Sequence, residues 1–222
     1  MTSPLTLLFI RHAESVGNAQ GRMMGHLDDA LSETGLDQAA RLADRLRTHP
    51  PTHMYSSPIA RTRQTAELLQ RSLPNDSSIS IQYVDELKEF QNGIFQGLTW
   101  AEASDRYPDL CRALESSLTW IPIPGAESWE QGRDRAQRFI AKLLDSHQDG
   151  DRLWIVTHSW ILQHLISSLM GCDRTWGFTA DYTSIFEFQI WRSHWSLHDQ
   201  NLGNTELWKI RSFNDSQHIM SP

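Results

Sequence analysis

Arg11-His12 and His158 each stand directly behind a short apolar run, and Arg61 stands near the start of a helical segment opened by Ser57-Pro58. Histidine supplies a nucleophile or proton carrier near neutral pH, and arginine supplies a planar fork of donors that fits phosphate oxygens. Two arginines and two histidines make little sense around a neutral ligand. They suit a tetrahedral dianion, with the guanidinium groups and a nearby helix N-terminus holding the oxygens and an imidazole placed to attack phosphorus.

Residues so far apart in the chain meet only if the intervening elements bring them to one edge. Leu5–Ile10 and Arg152–Thr157 read as strands buried on both faces of a parallel sheet, and ligands of such sheets bind at the carboxyl ends of the strands. His53–Ser56 and Ile79–Val84 are shorter strand candidates, and Leu36–Leu46, Ile59–Leu69, Ala136–Leu144 and Ile161–Met170 carry helical periodicity. Ser57-Pro58 predicts an N-cap followed by proline at the first helical position, while Thr99 to Glu102 and Ser128 to Gln131 match the capping box. Ser184–Trp191 and Thr205–Phe213 are strand-like runs with no helix between them, expected as a hairpin-like edge or a pair of added strands. The expected fold is α/β, with a mostly parallel central sheet flanked by helices in one domain spanning residues 1–222. Residues 100–125 are the least regular stretch and are expected to form a helical, cap-like insertion over the active site.

Composition narrows the partners. The chain has 222 residues, 39% of them hydrophobic, and a formal charge of −7 from 20 Lys+Arg against 27 Asp+Glu. Without a basic stripe, neither nucleic acid nor an anionic membrane is an expected partner. Cys111 and Cys172 have no CxxC spacing and no companions for a zinc site, so neither a disulfide framework nor a metal centre is expected. The Leu5–Ile10 run is too short for a signal-peptide core, and no stretch approaches the roughly 20 apolar residues of a membrane span. A cytoplasmic protein is expected; oligomeric state is left open.

The string Leu8-Phe9-Ile10-Arg11-His12-Ala13-Glu14-Ser15-Val16-Gly17-Asn18 resembles the signature of the histidine phosphatase superfamily, in its phosphoglycerate mutase-like branch. Further blocks follow in that family's order: Gly21-Arg22, Gly25, Asp28 and Leu31–Gly35; Ser56–Ala66; Leu87-Lys88-Glu89 with Gly93 and Gly97; Gly125–Ser128; Val156-Thr157-His158; and Phe213-Asn214-Asp215 with His218.

The resemblance implies a phosphomonoester hydrolase acting through a phosphohistidine on a small phosphorylated metabolite, with no cofactor and no metal. It implies His12 as nucleophile, Arg11, Asn18 and Arg61 as phosphate ligands together with the backbone N–H of Ser159, and His158 as a donor to the transferring group. Glu89 is the implied acid and later base, favoured over Glu86 by its distance to Gly93 and Gly97, and Glu14 is a supporting partner. Gly25 and Trp160 are candidate substrate contacts. Three departures bear on the site: Ala13 and Ser159 stand where the family usually has glycine, and Met24 where mutases tend to have a polar residue. The nearest alternative is a phosphoglycerate mutase, but the mutases carry adjacent arginines in the insertion, where this chain has the separated Arg106 and Arg112. A third reading, a non-catalytic phosphate-binding regulatory module, is disfavoured by the retained His12, His158, Arg11 and Arg61. Sugar phosphates, phosphoglycerates, nucleotide-pathway phosphates and phosphoproteins all stay open as substrates.

Overall fold

The structure is a computed structural model, in which residues 3–74, 79–194 and 203–220 are described. Six strands, β1 (Leu5–Arg11), β2 (His53–Ser56), β3 (Ile81–Tyr83), β4 (Arg152–Thr157), β5 (Ile185–Ile190) and β6 (Trp208–Asp215), form one sheet in the order β3-β2-β4-β1-β5-β6. The helices are α1 (Val16–Ala19), α2 (Glu33–Leu46), α3 (Ala60–Arg71), α4 (Trp100–Arg106), α5 (Pro108–Ser116), α6 (Trp129–Ser146), α7 (Ser159–Leu169) and α8 (Gln217–Met220). The first four strands in that order run parallel, while β5 pairs antiparallel with β1 and β6 with β5. The expected mostly parallel sheet is present, and the two C-terminal runs are added strands on one side of it.

The continuous apolar runs reflect burial on both faces. Leu5, Leu7 and Phe9 join α6 and α7 in one core, whereas Leu8 and Ile10 join Leu42 of α2 and Leu69 of α3 in the other. In α6, Ala136, Phe139, Ile140, Leu143 and Leu144 are buried, the spacing of one apolar stripe on a helix. Truncating any of these large side chains to alanine costs about 2–5 kcal/mol, which only tertiary contacts can supply.

Both capping boxes form, at Thr99 with Glu102 and at Ser128 with Gln131. The expected cap at Ser57-Pro58 does not. Helix α3 begins at Ala60 with Ile59 as an uncapped N-cap residue, and Asp28 Oδ1 takes the Ala60 N–H at 2.5 Å from across the structure. Ser57 Oγ accepts the Ile59 N–H at 3.3 Å, ahead of the helix, and also meets His158 Nε2 at 2.9 Å. Strand β3 is shorter than the apolar run around it, because only Ile81–Tyr83 finds a partner in β2. The insertion is helical in α4 and α5, then runs without regular structure from 117 to 126. It docks where Gly93, at φ +54°, lets Pro124 O approach so closely that an added Cβ would meet it at 2.2 Å.

Candidate active site

The parallel strands all end at the same edge, and β4 lies between β1 and β2. Beyond β1, His12 N–H donates to Thr157 O at 2.9 Å, and beyond β2, Ser57 N–H donates to Val156 O at 3.1 Å. The two histidines therefore emerge side by side, with ring centroids 5.0 Å apart.

His12 is almost fully buried. Its Nδ1 lies 2.7 Å from Ala13 O, and because a carbonyl only accepts, this contact assigns the proton to Nδ1. The Nε2 lone pair is left facing the site, where Arg61 Nε–H donates to it at 3.2 Å. Burial first, and then the charges of Arg61 and Arg11, push the His12 pKa well below the ordinary histidine value, against the Ala13 contact. His158 is lowered in the same direction by burial and then by Arg61. A neutral imidazole with its unprotonated Nε2 facing the site can attack phosphorus once the Arg61 Nε–H releases that lone pair. Ala13 needs no glycine-like backbone, since among the described residues outside glycine only Thr183 and Asn214 have positive φ.

Arg61 enters from the first turn of α3 and is only 1% exposed. Besides His12, it donates to Leu27 O at 3.0 Å, Asp29 Oδ1 at 3.2 Å and Gly25 O at 2.8 Å. Burial lowers its pKa, and the negative charges of Glu89 and Asp29 offset this. Gly25 holds φ +49°, and a side chain there would press into Gln96 Oε1. Arg11 is anchored by a 2.5 Å bond to Ala180 O and lies 4.0 Å over the Tyr182 ring. A charge-assisted bond to phosphate is worth about 1.5–3 kcal/mol. Arg61→Ala is expected to weaken inorganic phosphate binding by roughly 10- to 150-fold on that basis, and lysine is expected to restore only part of it. Titration of phosphate or vanadate by tryptophan fluorescence measures this, and near-native affinity would show the guanidinium is not a ligand.

Glu89 sits across from these cations. Its carboxylate accepts from the backbone N–H groups of Phe90 at 3.0 Å, Ile161 at 3.2 Å and Trp160 at 3.3 Å, the last two at the N-terminus of α7. Arg135 from α6 clamps the segment by donating to Glu86 O, Lys88 O and Glu89 O, and is itself paired with Glu127 at 2.6 Å. Glu86, the alternative, lines a separate cavity with His53 and His147. The structure thus brings Glu89, and not Glu86, to the site.

A cavity of about 500 Å³ opens over this constellation and is lined by Arg11, His12, Asn18, Gly25, Arg61, Glu89, Ser159 and Trp160 among others. Asn18 is partly engaged with the Ser15 hydroxyl at 2.9 Å. Glu14 turns away and accepts from the Ser32 hydroxyl at 2.7 Å. His158 is completely buried beneath the site, its Nε2 2.9 Å from Ser57 Oγ, while its Nδ1 is buried without a protein partner.

Several supporting residues were not singled out by sequence reasoning. Ser57 lies in the Ser56–Ala66 block but carries the signal of a cap, Asp29 and Tyr182 bear no local pattern, and Arg135 looks like one more exposed helix charge. Asp28 and Glu127 did carry a signal, lying inside the motif blocks.

The buried His164 and the half-buried His218 are expected to make the fold acid-sensitive. Burial pushes His164 and His218 down to about 4. As pH falls through the unfolded value near 6.5, the unfolded chain takes up protons that the folded chain refuses until about pH 4, so stability is lost as pH falls. The melting temperature is expected to be lower at pH 5 than at pH 7. His164, stacked on Phe90 at 5.0 Å with an unpartnered Nδ1, is one source. His164→Phe is expected to remove on the order of 1 kcal/mol of that loss; an unchanged slope in calorimetry would exclude it.

Comparison with known proteins agrees with this geometry. The family description "Histidine phosphatase superfamily (branch 1)" matches residues 7–203. The metal-independent phosphoserine phosphatase of Arabidopsis thaliana is 34% identical over 159 residues, 71% of this chain; the match spans 65% of that relative, just under two thirds of its length. Phosphoglycerate mutase-like protein 4 of the same plant is 32% identical over 161 residues, 72% of this chain and 68% of that one. A solved mycobacterial glucosyl-3-phosphoglycerate phosphatase, complexed with VO3, superimposes with a TM-score of 0.74 at 25% identity, covering 94% of this chain and 98% of that one. With His12 buried between flanking arginines and a family match over residues 7–203, the chain belongs to branch 1 of the histidine phosphatase superfamily.

Proposed function

We propose that this chain is a phosphomonoesterase that works through phosphorylated His12, as one domain with residues 100–125 as its cap. The observation that carries the reading is the His12 Nε2 lone pair, held 3.2 Å from Arg61 Nε at the arginine-lined end of the cavity. The phosphoryl oxygens take donors from Arg11, Arg61, Asn18 and the Ser159 N–H. His12 Nε2 attacks phosphorus, forming the P–N bond as the P–O bond to the alcohol breaks, and Glu89 hands a proton to the leaving oxygen. Glu89 then takes a proton from water, whose oxygen attacks phosphorus, and the P–N bond breaks to release phosphate and neutral His12. His158, linked to Ser57, positions and stabilises the transferring group. Arg11 and Arg61 supply the positive charge that a metal would otherwise bring.

The phosphatase named among the relatives supports this reading, and the mutase-like relative keeps phosphoryl transfer to a second hydroxyl as the alternative. Hydrolysis is favoured because neither Arg106 nor Arg112 lines the cavity, and Arg112 is paired with Asp109 on the surface. The net charge of −7 supports a small-molecule substrate rather than nucleic acid, and the free Cys111 and Cys172 suit a reducing, cytoplasmic setting. Among the described residues no helix is long and apolar enough to cross a membrane. The test is phosphate release from 4-nitrophenyl phosphate with inhibition by vanadate. A folded protein that binds phosphate yet releases none would overturn the reading.

A further inference from the structure

We infer that the alcohol half of the substrate is an apolar group about the size of a phenyl ring and carries no carboxylate; this deepens the phosphatase reading and rests on it. The polar Gln91 and Asn92 share the cavity wall with Met23, Met24, Phe95, Trp100, Trp120 and Trp160 and with Ile121 and Ile123 after α5. Trp100, Trp120 and Trp160 keep 40%, 45% and 55% of their surface exposed. Three large aromatics facing one cavity form a surface that a flat apolar group would bury. The polar handle of Trp100 is already used, since its Nε1–H donates to Glu115 at 2.9 Å.

Charge argues in the same direction. Besides Arg11 and Arg61, Arg22 is the one cationic residue lining the cavity among the described residues. Four of its five N–H donors are engaged, with Gln20 at 2.9 Å, Gly97 O at 2.8 Å and both oxygens of Glu102 at 2.8 and 3.3 Å, and the Glu102 carboxylate offsets its charge. The remaining charges, Glu89 and Glu127, are negative. Outside the phosphate ligands, a substrate carboxylate would leave water and meet only Arg22, already paired with Glu102, while Glu127 is held by Arg135. The cavity therefore disfavours phosphoserine and phosphoglycerates, whatever the relatives accept. At about 500 Å³ it holds a small molecule and not a polymer.

The test compares monoesters whose leaving alcohols are all alkyl, so that intrinsic reactivity is similar. On the wild-type protein, kcat/KM for 2-phenylethyl phosphate is expected to exceed that for phosphoserine and 3-phosphoglycerate by about 100-fold, with ethyl phosphate between them. Trp120→Ala, in the irregular part of the insertion, is expected to shrink the ratio of phenylethyl to ethyl phosphate about tenfold. A parallel binding series uses 3-phenylpropylphosphonate and 2-carboxyethylphosphonate, which need no turnover, and the first is expected to bind about 100-fold tighter. Equal or better kcat/KM for phosphoserine or 3-phosphoglycerate, or equal affinity of the two phosphonates, would overturn the inference. If no monoester turns over, 4-nitrophenyl phosphate included, the phosphatase reading falls while the phosphonate affinities still decide the character of the pocket.

Discussion

His12→Ala is expected to lower turnover by on the order of 10⁴- to 10⁶-fold, the range seen when a covalent nucleophile is removed. Inorganic phosphate should still bind within a few-fold of the wild-type affinity, because Arg11 and Arg61 remain; this separates loss of chemistry from loss of fold. The Nε2 nitrogen is the one expected to react. Nδ1 is committed to Ala13 O, so the phosphoryl group should appear on Nε2. Wild-type protein mixed with labelled substrate and quenched in alkali, where phosphohistidine survives, should carry label on His12 in a burst matching one site per chain. Label on His158 would exchange the two roles, and full turnover without label would remove the covalent intermediate. Burial and two arginines hold His12 below its ordinary pKa, so it stays neutral and nucleophilic as pH falls through the usual histidine range. The rate of phosphoenzyme formation should not fall off near pH 6.5 on account of this residue.

The second large effect belongs to Glu89 and is read through the leaving group. An alkyl alcohol leaves poorly as an alkoxide, so protonating its oxygen matters by about 10²–10⁴-fold. A nitrophenolate needs little such help. Glu89→Gln should lose that factor on an alkyl phosphate, while the burst of nitrophenolate that accompanies enzyme phosphorylation is nearly spared. Steady-state turnover can still drop on both substrates, because the same carboxylate is assigned to activate water, so the comparison is made in the first turnover. Glutamine keeps one oxygen to accept from the N–H groups of Phe90 and Ile161, which share Oε1, and gives up only the acceptor of the Trp160 N–H on Oε2. Equal first-turnover losses on the two substrates would mean that Glu89 holds the phosphate or the fold. A selective loss in Glu86→Gln would be at odds with the separate cavity that Glu86 lines.

What was legible in the sequence follows from which interactions are local. Leu5–Ile10 and Arg152–Thr157 are apolar throughout because both faces of the central strands are covered, and this alone puts Arg11, His12 and His158 at strand ends. Capping boxes are equally local, since donor and acceptor lie three residues apart, and Thr99 and Ser128 behave accordingly. Ser57-Pro58 carries the same kind of local signal, but a residue 101 positions away draws the Ser57 hydroxyl to His158, and Asp28 caps the helix instead. Apart from the family spacing to Gly93 and Gly97, no local pattern separates Glu86 from Glu89. That choice is made by Arg135 gripping three carbonyls of the loop and by the N-terminus of α7 receiving one carboxylate, contacts spanning 46 to 72 residues. The protonation state of His12 is likewise a property of the whole fold, because desolvation sums over every element packed around the ring. The sequence by itself determined the sheet, the strand-end histidines and the arginines able to hold a phosphate. Only the tertiary structure shows what holds Glu89 opposite them and which imidazole nitrogen carries the proton. It also decided how apolar the rest of the cavity is, since its walls come from segments that meet nowhere but in the folded chain.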